Sequence, residues 1–454
     1  MNIRRFFLLL VIALTAALNC TAQLNGTGFY RFRNADRTTD YISIANDKFN
    51  YTTAIGTACG GLSQALSSAG QARALECAGK YLETDIHLVD DAPCIDPASV
   101  IYAKKKNTSS TNYDYNLIGQ GTSLLTLTTG TYPGTIQLQF QDRYANIQKV
   151  SGTGVNTLYS AKIELKASNY SSANLGTRYL MNDNGKLALL ESRNQPQNAN
   201  ANWYIEPVNY FNVKPEVEFG GKYYTTLYVP FAFKLSDNVA KAYAVTAIDT
   251  DGKVQIKKVA ANGETVPAGT PVILECTSNV TANCRLIPTD EPLFTAPNVS
   301  NTGNAPTAST ATNYTGTNLL KGNYYCNQDG TITFTAKSGT SSFNANHYTA
   351  RTNKMYIIGI TASGKLGFVK ATDTAMPANK AWIEYEGTAE LVLPLKGDVN
   401  KDGEVDVADV TMLVDYILGK NPSNCDVNAC DVNEDTTIDV GDVTSLVDII
   451  LNNK

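Results

Sequence analysis

The chain has 454 residues, with 37 lysines and arginines against 42 aspartates and glutamates, a net charge of −5 and only two histidines. No basic stripe or phosphate-cradling glycine loop accompanies that balance, so nucleic-acid and nucleotide binding are excluded as organising functions. Sparse charge and a high content of tyrosine, threonine, asparagine and glycine point to a mainly β chain, and the length suggests two or three domains.

The first element is a leader. Arg4 and Arg5 precede an apolar run from Phe6 to Ala17, and Cys20-Thr21-Ala22 offers small residues to a signal peptidase. Residues 1–22 therefore read as a signal peptide with cleavage before Gln23. The run is too short to span a membrane, and no other hydrophobic span follows. The expected location is secreted or cell-surface. Lipid attachment through Cys20 is the alternative, although Leu18 and Asn19 fit that motif poorly.

Residues 23–210 read as short strands with one interruption. Phe29–Phe32 and Tyr41–Ile44 alternate as half-buried strands do, and strand patterns return at Ser99–Ala103, Leu124–Leu127 and Ile136–Phe140. Between them Leu62, Ala65, Leu66, Ala69 and Leu75 recur at a helical period, predicting a helical insert over about 58–90. The unit closes with Arg178–Leu190 and Trp203–Pro207. These stretches resemble a ricin-like β-trefoil, in which a Tyr-Leu strand, a turn and a closing tryptophan recur. That resemblance implies a lectin-like fold and a glycan ligand. Trp203 then reads either as a wall of a sugar pocket or as a core residue closing a barrel.

Residues 211–392 predict a β-sandwich or barrel. Gly221–Pro230, Ala242–Ile248, Val272–Glu275, Met355–Ile360, Leu366–Val369 and Met376–Ile383 are strand-like runs between Gly/Pro turns. They resemble an accessory β domain of surface proteins from gut Bacteroides and Prevotella, which has no fixed chemistry. Asn298–Tyr314 reads as an exposed loop.

Residues 396–454 carry the sharpest pattern. Asp398, Asn400, Asp402, Glu404, Asp406 and Asp409 occupy positions 1, 3, 5, 7, 9 and 12 of a loop. Asp431, Asn433, Asp435, Thr437, Asp439 and Asp442 repeat it 33 positions later. Five oxygen side chains plus the carbonyl of position 7 suit a hard ion such as calcium, which takes six to eight oxygens. Two loops predict two calcium ions. After each loop comes an apolar stripe at helical spacing: Val410, Leu413, Val414, Ile417 and Leu418, then Val443, Leu446, Val447, Ile450 and Leu451. The two stripes are expected to face each other as the module's core, with ion binding supplying much of the folding energy. Thirteen acidic residues against four lysines give this tail a net of −9, which the ions would partly cancel.

The tail resembles a dockerin, the module that plugs into cohesin domains of polysaccharide-degrading assemblies. The resemblance implies a cohesin-like partner, or alternatively an intramolecular docking surface. It also places partner contacts at loop positions 10 and 11, here Val407, Ala408, Val440 and Gly441. Thr436 replaces the glycine expected at position 6, which predicts a weaker second site.

Eight cysteines remain after cleavage; Cys276 with Cys284, and Cys425 with Cys430, are spaced to close disulfides in an oxidising compartment. Cys59, Cys77 and Cys94 form an odd-numbered cluster, and no CxxC pair suggests zinc. Neither His87 nor His347 lies by a nucleophile motif such as GxSxG. Glu83, Asp85, Asp90 and Asp91 read as a solvated loop. The sequence thus points to an exported, non-catalytic binding or adhesion protein, glycan-binding and tethered through a calcium-dependent tail. The alternative is a polysaccharide-degrading component whose divergent N-terminal domain hydrolyses glycosidic bonds.

Overall fold

The computed structural model describes residues 24, 26–36, 41–43, 75–82, 97–105, 113–119, 122–123, 127–131, 137–140, 145–166, 174–183, 186–191, 199–293, 312–322, 331–336, 339–344, 355–371, 379–402, 404–433, 435 and 437–452. The leader, Cys20, Cys59, Cys94, both histidines, the acidic cluster Glu83 to Asp91 and Thr436 lie outside these residues. Among the described residues no helix is long and apolar enough to cross a membrane.

The first unit is built on a closed ring. Strands β1 (Gly28–Asn34), β4 (Ile101–Lys105), β5 (Tyr113–Gly119), β9 (Ala145–Ser151), β10 (Leu158–Lys166) and β13 (Trp203–Pro207) pair antiparallel in that order, and β13 returns to β1. Three further strand pairs accompany it, two hydrogen-bonded to its strands and one forming a separate two-stranded sheet. They are β2 (Tyr41–Ser43) with β3 (Leu75–Leu82), β7 (Leu127–Thr131) with β8 (Gln137–Phe140), and β11 (Asn174–Asp183) with β12 (Lys186–Glu191). A short β6 (Thr122–Ser123) pairs with β5. The helical insert expected over about 58–90 does not hold at its centre, since Leu75–Leu82 is strand, paired with both β2 and β12. Non-local pairing there overrides a helix-favouring Ala/Leu composition.

Strand β1 is buried on both faces, and its alternation sorts two kinds of side chain. Phe32 lies opposite Ile205 and Asn34 opposite Trp203, while Arg31 faces Glu206 and Arg33 faces Tyr204 across the same ladder. On the second face Arg33 Nε donates to Glu206 Oε1 at 2.7 Å, and Tyr41 donates its hydroxyl to Glu206 Oε2 at 3.3 Å. Arg31 donates to Ser99 Oγ at 2.7 Å and stacks 3.9 Å above the Tyr41 ring. A buried ion pair of this sort persists because its donors and acceptors are engaged; removing one partner is far costlier than the pair's net worth.

The second unit has three layers. The central sheet contains β15 (Val217–Phe219), β16 (Lys222–Leu227), β21 (Val272–Cys276), β18 (Val239–Ile248) and β19 (Val254–Ala261). One outer sheet contains β14 (Phe211–Asn212), β22 (Arg285–Pro288), β17 (Phe233–Leu235) and β20 (Thr265–Val266). The other contains β23 (Lys321–Gly322), β28 (Ala381–Glu384), β26 (Met355–Ile360), β27 (Leu366–Lys370) and β29 (Leu391–Val392). A separate hairpin joins β24 (Thr331–Ala336) to β25 (Gly339–Asn344). The alternation in β21 explains the layering. Val272, Leu274 and Cys276 pack with Phe233 and Leu286 on one side, and Ile273 packs with Ile358, Phe368 and Ile383 on the other. A strand covered on both faces reads as a continuous apolar run, as Val-Ile-Leu does here. The expected β-sandwich is present, with a third layer added.

The two units share a core. Phe29 of β1 lies 5.0 Å from the Tyr102 ring and 5.1 Å from Phe231, and Val100 joins the same cluster. Lys104 reaches Glu291 at 2.7 Å beside it. The boundary near residue 210 is therefore a packed junction.

Among its described residues the tail has three helices: α1 (Val407–Ile417), the single-turn α2 (Val427–Cys430) and α3 (Val440–Asn452). Leu413 and Leu446 are fully buried at its centre, with Val399, Val432, Ala429 and Cys430 around them. The expected stripes form only part of this core. Val410, Ile417, Val443 and Ile450 are half-buried, whereas Leu418, Leu451 and Val447 are exposed. Leu418 and Leu451 end their stripes, whereas Val447 lies mid-helix, ahead of the half-buried Ile449 and Ile450.

Candidate metal centre and docking surface

The chain enters the tail directly from β29, with Gly397 as the pivot. Its φ is +90°, and a Cβ there would meet Leu446 Cδ1 at 2.6 Å, so both the backbone angle and the close approach to the core require glycine. The first loop is then folded by its own side chains. Asp402 N–H donates to Asn400 Oδ1 at 2.8 Å, Glu404 N–H to Asp402 Oδ1 at 2.9 Å, and the Asn400 amide to Asp402 Oδ2 at 2.7 Å. Short polar side chains that bond the backbone two residues on are what drive such turns.

The loop ends in a capping box. Asp406 Oδ1 accepts from Ala408 N–H at 2.7 Å, and Asp409 Oδ2 accepts from Asp406 N–H at 2.9 Å. Asp409, fully buried, spans the loop: its Oδ1 takes Asn400 N–H at 2.9 Å. Position 12 is thereby tied to positions 3 and 9.

The second loop reproduces these contacts one for one. Asp435 N–H donates to Asn433 Oδ1 at 2.9 Å, Thr437 N–H to Asp435 Oδ1 at 2.8 Å, and the Asn433 amide to Asp435 Oδ2 at 2.9 Å. Asp439 Oδ1 accepts from Gly441 N–H at 2.7 Å. The buried Asp442 takes Asn433 N–H and Asp439 N–H, each at 2.9 Å. One oxygen of Asp398 and one of Asp431 are shut off from solvent at the head of each loop.

These bonds set the electrostatics. The Glu404 backbone N–H, then the Asn400 amide, hold the Asp402 carboxyl below its usual value, and Lys365 and Lys253 add to the effect. Asp435 is lowered first by the Thr437 hydroxyl and then by the Thr437 N–H and the Asn433 amide. The side chains of each loop that face this network are carboxylates and amides, an oxygen-rich donor set.

The donor chemistry fits calcium. Among the described residues, no three His, Cys, Asp or Glu side chains converge closely enough by themselves to hold a metal ion. Each loop adds an amide oxygen and a backbone carbonyl to its carboxylates, and the position-5 carboxylate is turned onto the neighbouring amide. An ion here would be held by Asp398, Asn400, Asp402, Asp406, Asp409 and the Glu404 carbonyl, or by their counterparts in the second loop.

The residues expected to meet a partner lie on the surface. Val407 and Val440, the first residues of α1 and α3, are 69% and 70% exposed, and Ala408 and Gly441 beside them are open to solvent. Trp203, by contrast, is completely buried in the first unit, which removes it as a stacking surface for a sugar. Sequence reasoning missed Val399, Val432 and Cys430 as core residues of the tail. Val399 and Val432 were detectable as a matched pair at loop position 2.

The first loop also touches the second unit. Lys401 adopts a left-handed φ of 63°, and its carbonyl accepts from Lys253 Nζ at 2.6 Å; Lys365 Nζ lies 3.5 Å from the Asp402 carbonyl.

No curated protein and no solved structure matches the chain. Residues 396–451 match the dockerin type I domain. This span holds both loops, α1, α2 and all but the last residue of α3. Residues 396–451 are a dockerin type I domain, a module that binds calcium and tethers its chain to cohesin partners.

Proposed function

We propose that this chain is an exported binding protein that a calcium-loaded dockerin holds to a cohesin partner. The observation that carries the reading is the one-for-one repetition of the loop contacts: two sites of the same donor chemistry, each opening onto a helix with an exposed valine at its first position. Two calcium ions are held, one by Asp398, Asn400, Asp402, Asp406, Asp409 and the Glu404 carbonyl. The other is held by Asp431, Asn433, Asp435, Asp439, Asp442 and the Thr437 carbonyl. Val407, Ala408, Val440 and Gly441 meet the partner. The test is capture of purified type I cohesin domains by the full chain in calcium and in EGTA. Capture in calcium that is lost in EGTA is expected; capture indifferent to EGTA overturns the reading.

The first unit is proposed to be a β-trefoil that binds glycans. The six-stranded closed ring and the strand pairs that accompany it support the fold. With Trp203 buried, a sugar would be held on other residues. A glycan array probed with the full chain tests this, and a blank array removes the glycan part while leaving the dockerin reading intact.

A second reading is favoured by Lys253 and Lys365. Their contacts with the first loop support a reading in which the second unit is an intramolecular seat for the tail and the loop acts as a clamp within the chain.

A further inference from the structure

The segment between the two calcium loops contains two sulfur atoms in contact. Cys425 Sγ lies 3.4 Å from Cys430 Sγ, and both residues are free thiols. Cys430 is fully buried among Val399, Leu413, Val432 and Leu446, and Cys425 is half-buried against the same core. We infer that Cys425 and Cys430 form a disulfide site that staples the crossing between the repeats and prepares both loops for calcium.

The position explains the consequence. Asp426, next to Cys425, donates its N–H to the Val399 carbonyl in the first loop at 2.8 Å, and Lys401 approaches its carboxylate at 3.8 Å. The Asp426 carbonyl accepts from Ala429 and Cys430, which folds α2 into a single turn. The Cys430 carbonyl then accepts from Val432 at 2.9 Å, leading into the second loop, whose first ligand position is Asp431. A helix of one turn has almost no stability of its own. A bond between the residues flanking and ending that turn would keep Asp426 on the first loop and Asp431 at the head of the second before any ion arrives.

The oxidant is a disulfide reagent, the chemical class that drives such bonds in oxidising compartments. The Cys425 thiolate attacks one sulfur of the reagent and expels the other as a thiolate, leaving a mixed disulfide on Cys425. The Cys430 thiolate then attacks Cys425 Sγ and expels the second reagent thiolate. The protein loses two protons and two electrons, and the reagent is reduced to two thiols. Cys425, the more accessible sulfur, takes the first step, and the contact with Cys430 makes the second step intramolecular.

The full chain would be incubated with oxidised glutathione, alkylated, and digested with trypsin without reduction. Cleavage after Lys420 releases Asn421–Lys454, which contains Cys425 and Cys430 and no other cysteine. The expected peptide is lighter by two hydrogens and carries no alkyl group. A peptide alkylated twice, bearing glutathione, or linked to a third cysteine overturns the bond. Calcium titrations of the oxidised and reduced full chain test the coupling, with Cys425→Ser/Cys430→Ser as the control that oxidation leaves unchanged. Calcium binding several-fold tighter in the oxidised chain is expected, and equal affinities overturn the coupling. The coupling rests on the calcium reading of the tail, whereas the mass measurement does not, so their failures are distinguishable.

Discussion

Replacing Asp409 by alanine removes the side chain that ties position 12 of the first loop to positions 3 and 9. Its carboxylate is fully buried and accepts from Asn400 N–H and Asp406 N–H, each at 2.9 Å. Hydrogen bonds to a charged group contribute about 1.5–3 kcal/mol each. Water reaching the freed amides recovers part of that, so the calcium-free tail should lose about 3 kcal/mol. A core of this size supplies only about 3–5 kcal/mol in total, which puts the variant at the edge of unfolding without metal. With calcium at a hundred times its Kd, each filled site adds about 2.7 kcal/mol, and the variant loses one such increment as well. Titration calorimetry of the full chain should show one binding event fewer in Asp409→Ala than in the parent. Asp409→Asn, which keeps one acceptor oxygen, should fall between. An Asp409→Ala chain that retains both events with unchanged affinity would refute the assignment of Asp409 as both ligand and tie.

Further outcomes follow from burial and charge. Leu446→Ala should cost the tail about 2–5 kcal/mol because the side chain is wholly buried. Leu451→Ala, at a position 62% exposed, should stay within about 0.5 kcal/mol; chemical denaturation in EGTA separates them, and equal effects would contradict the core described. Glu206→Ala strands buried Arg33 in the first unit and should destabilise it by about 3–5 kcal/mol, read as a lowered thermal transition. The acid limb has a definite sign. Asp402 and Asp435 are held below the ordinary value of 3.8, so their stabilisation is fully present above it and is lost as pH falls through the lowered folded values. In EGTA, the loss due to these two groups should appear only below about pH 4, and its absence from Asp402→Asn/Asp435→Asn would confirm the source.

What could be read from sequence divides along the range of the interactions. The Asp-rich loops and the helices after them were legible because most of the loop bonds join residues two or three apart, as from Asp402 N–H to Asn400 Oδ1, and the pattern recurs after 33 positions. The strands Tyr41–Ser43 and Trp203–Pro207 were legible for a similar reason, since alternation shows in a few residues. Other features depend on contacts far along the chain. Leu75–Leu82 has a composition suited to helix, and only its partners β2 and β12 make it a strand. Nothing local in Val272–Cys276 reveals that sheets cover both of its faces. The apolar stripes named Leu413 and Leu446 correctly, yet included Leu418 and Leu451, because periodicity gives a face without saying how far the partner surface extends. Trp203 remained ambiguous until burial placed it in the core.

The central claim is that paired Asp-rich loops carry the metal that lets this tail dock. The direct measurement is the calcium content of the purified full chain by atomic emission, before and after dialysis against EGTA. Two ions per chain, both removed by the chelator, are predicted. A chain that carries no calcium when equilibrated with an excess of the ion would contradict the account.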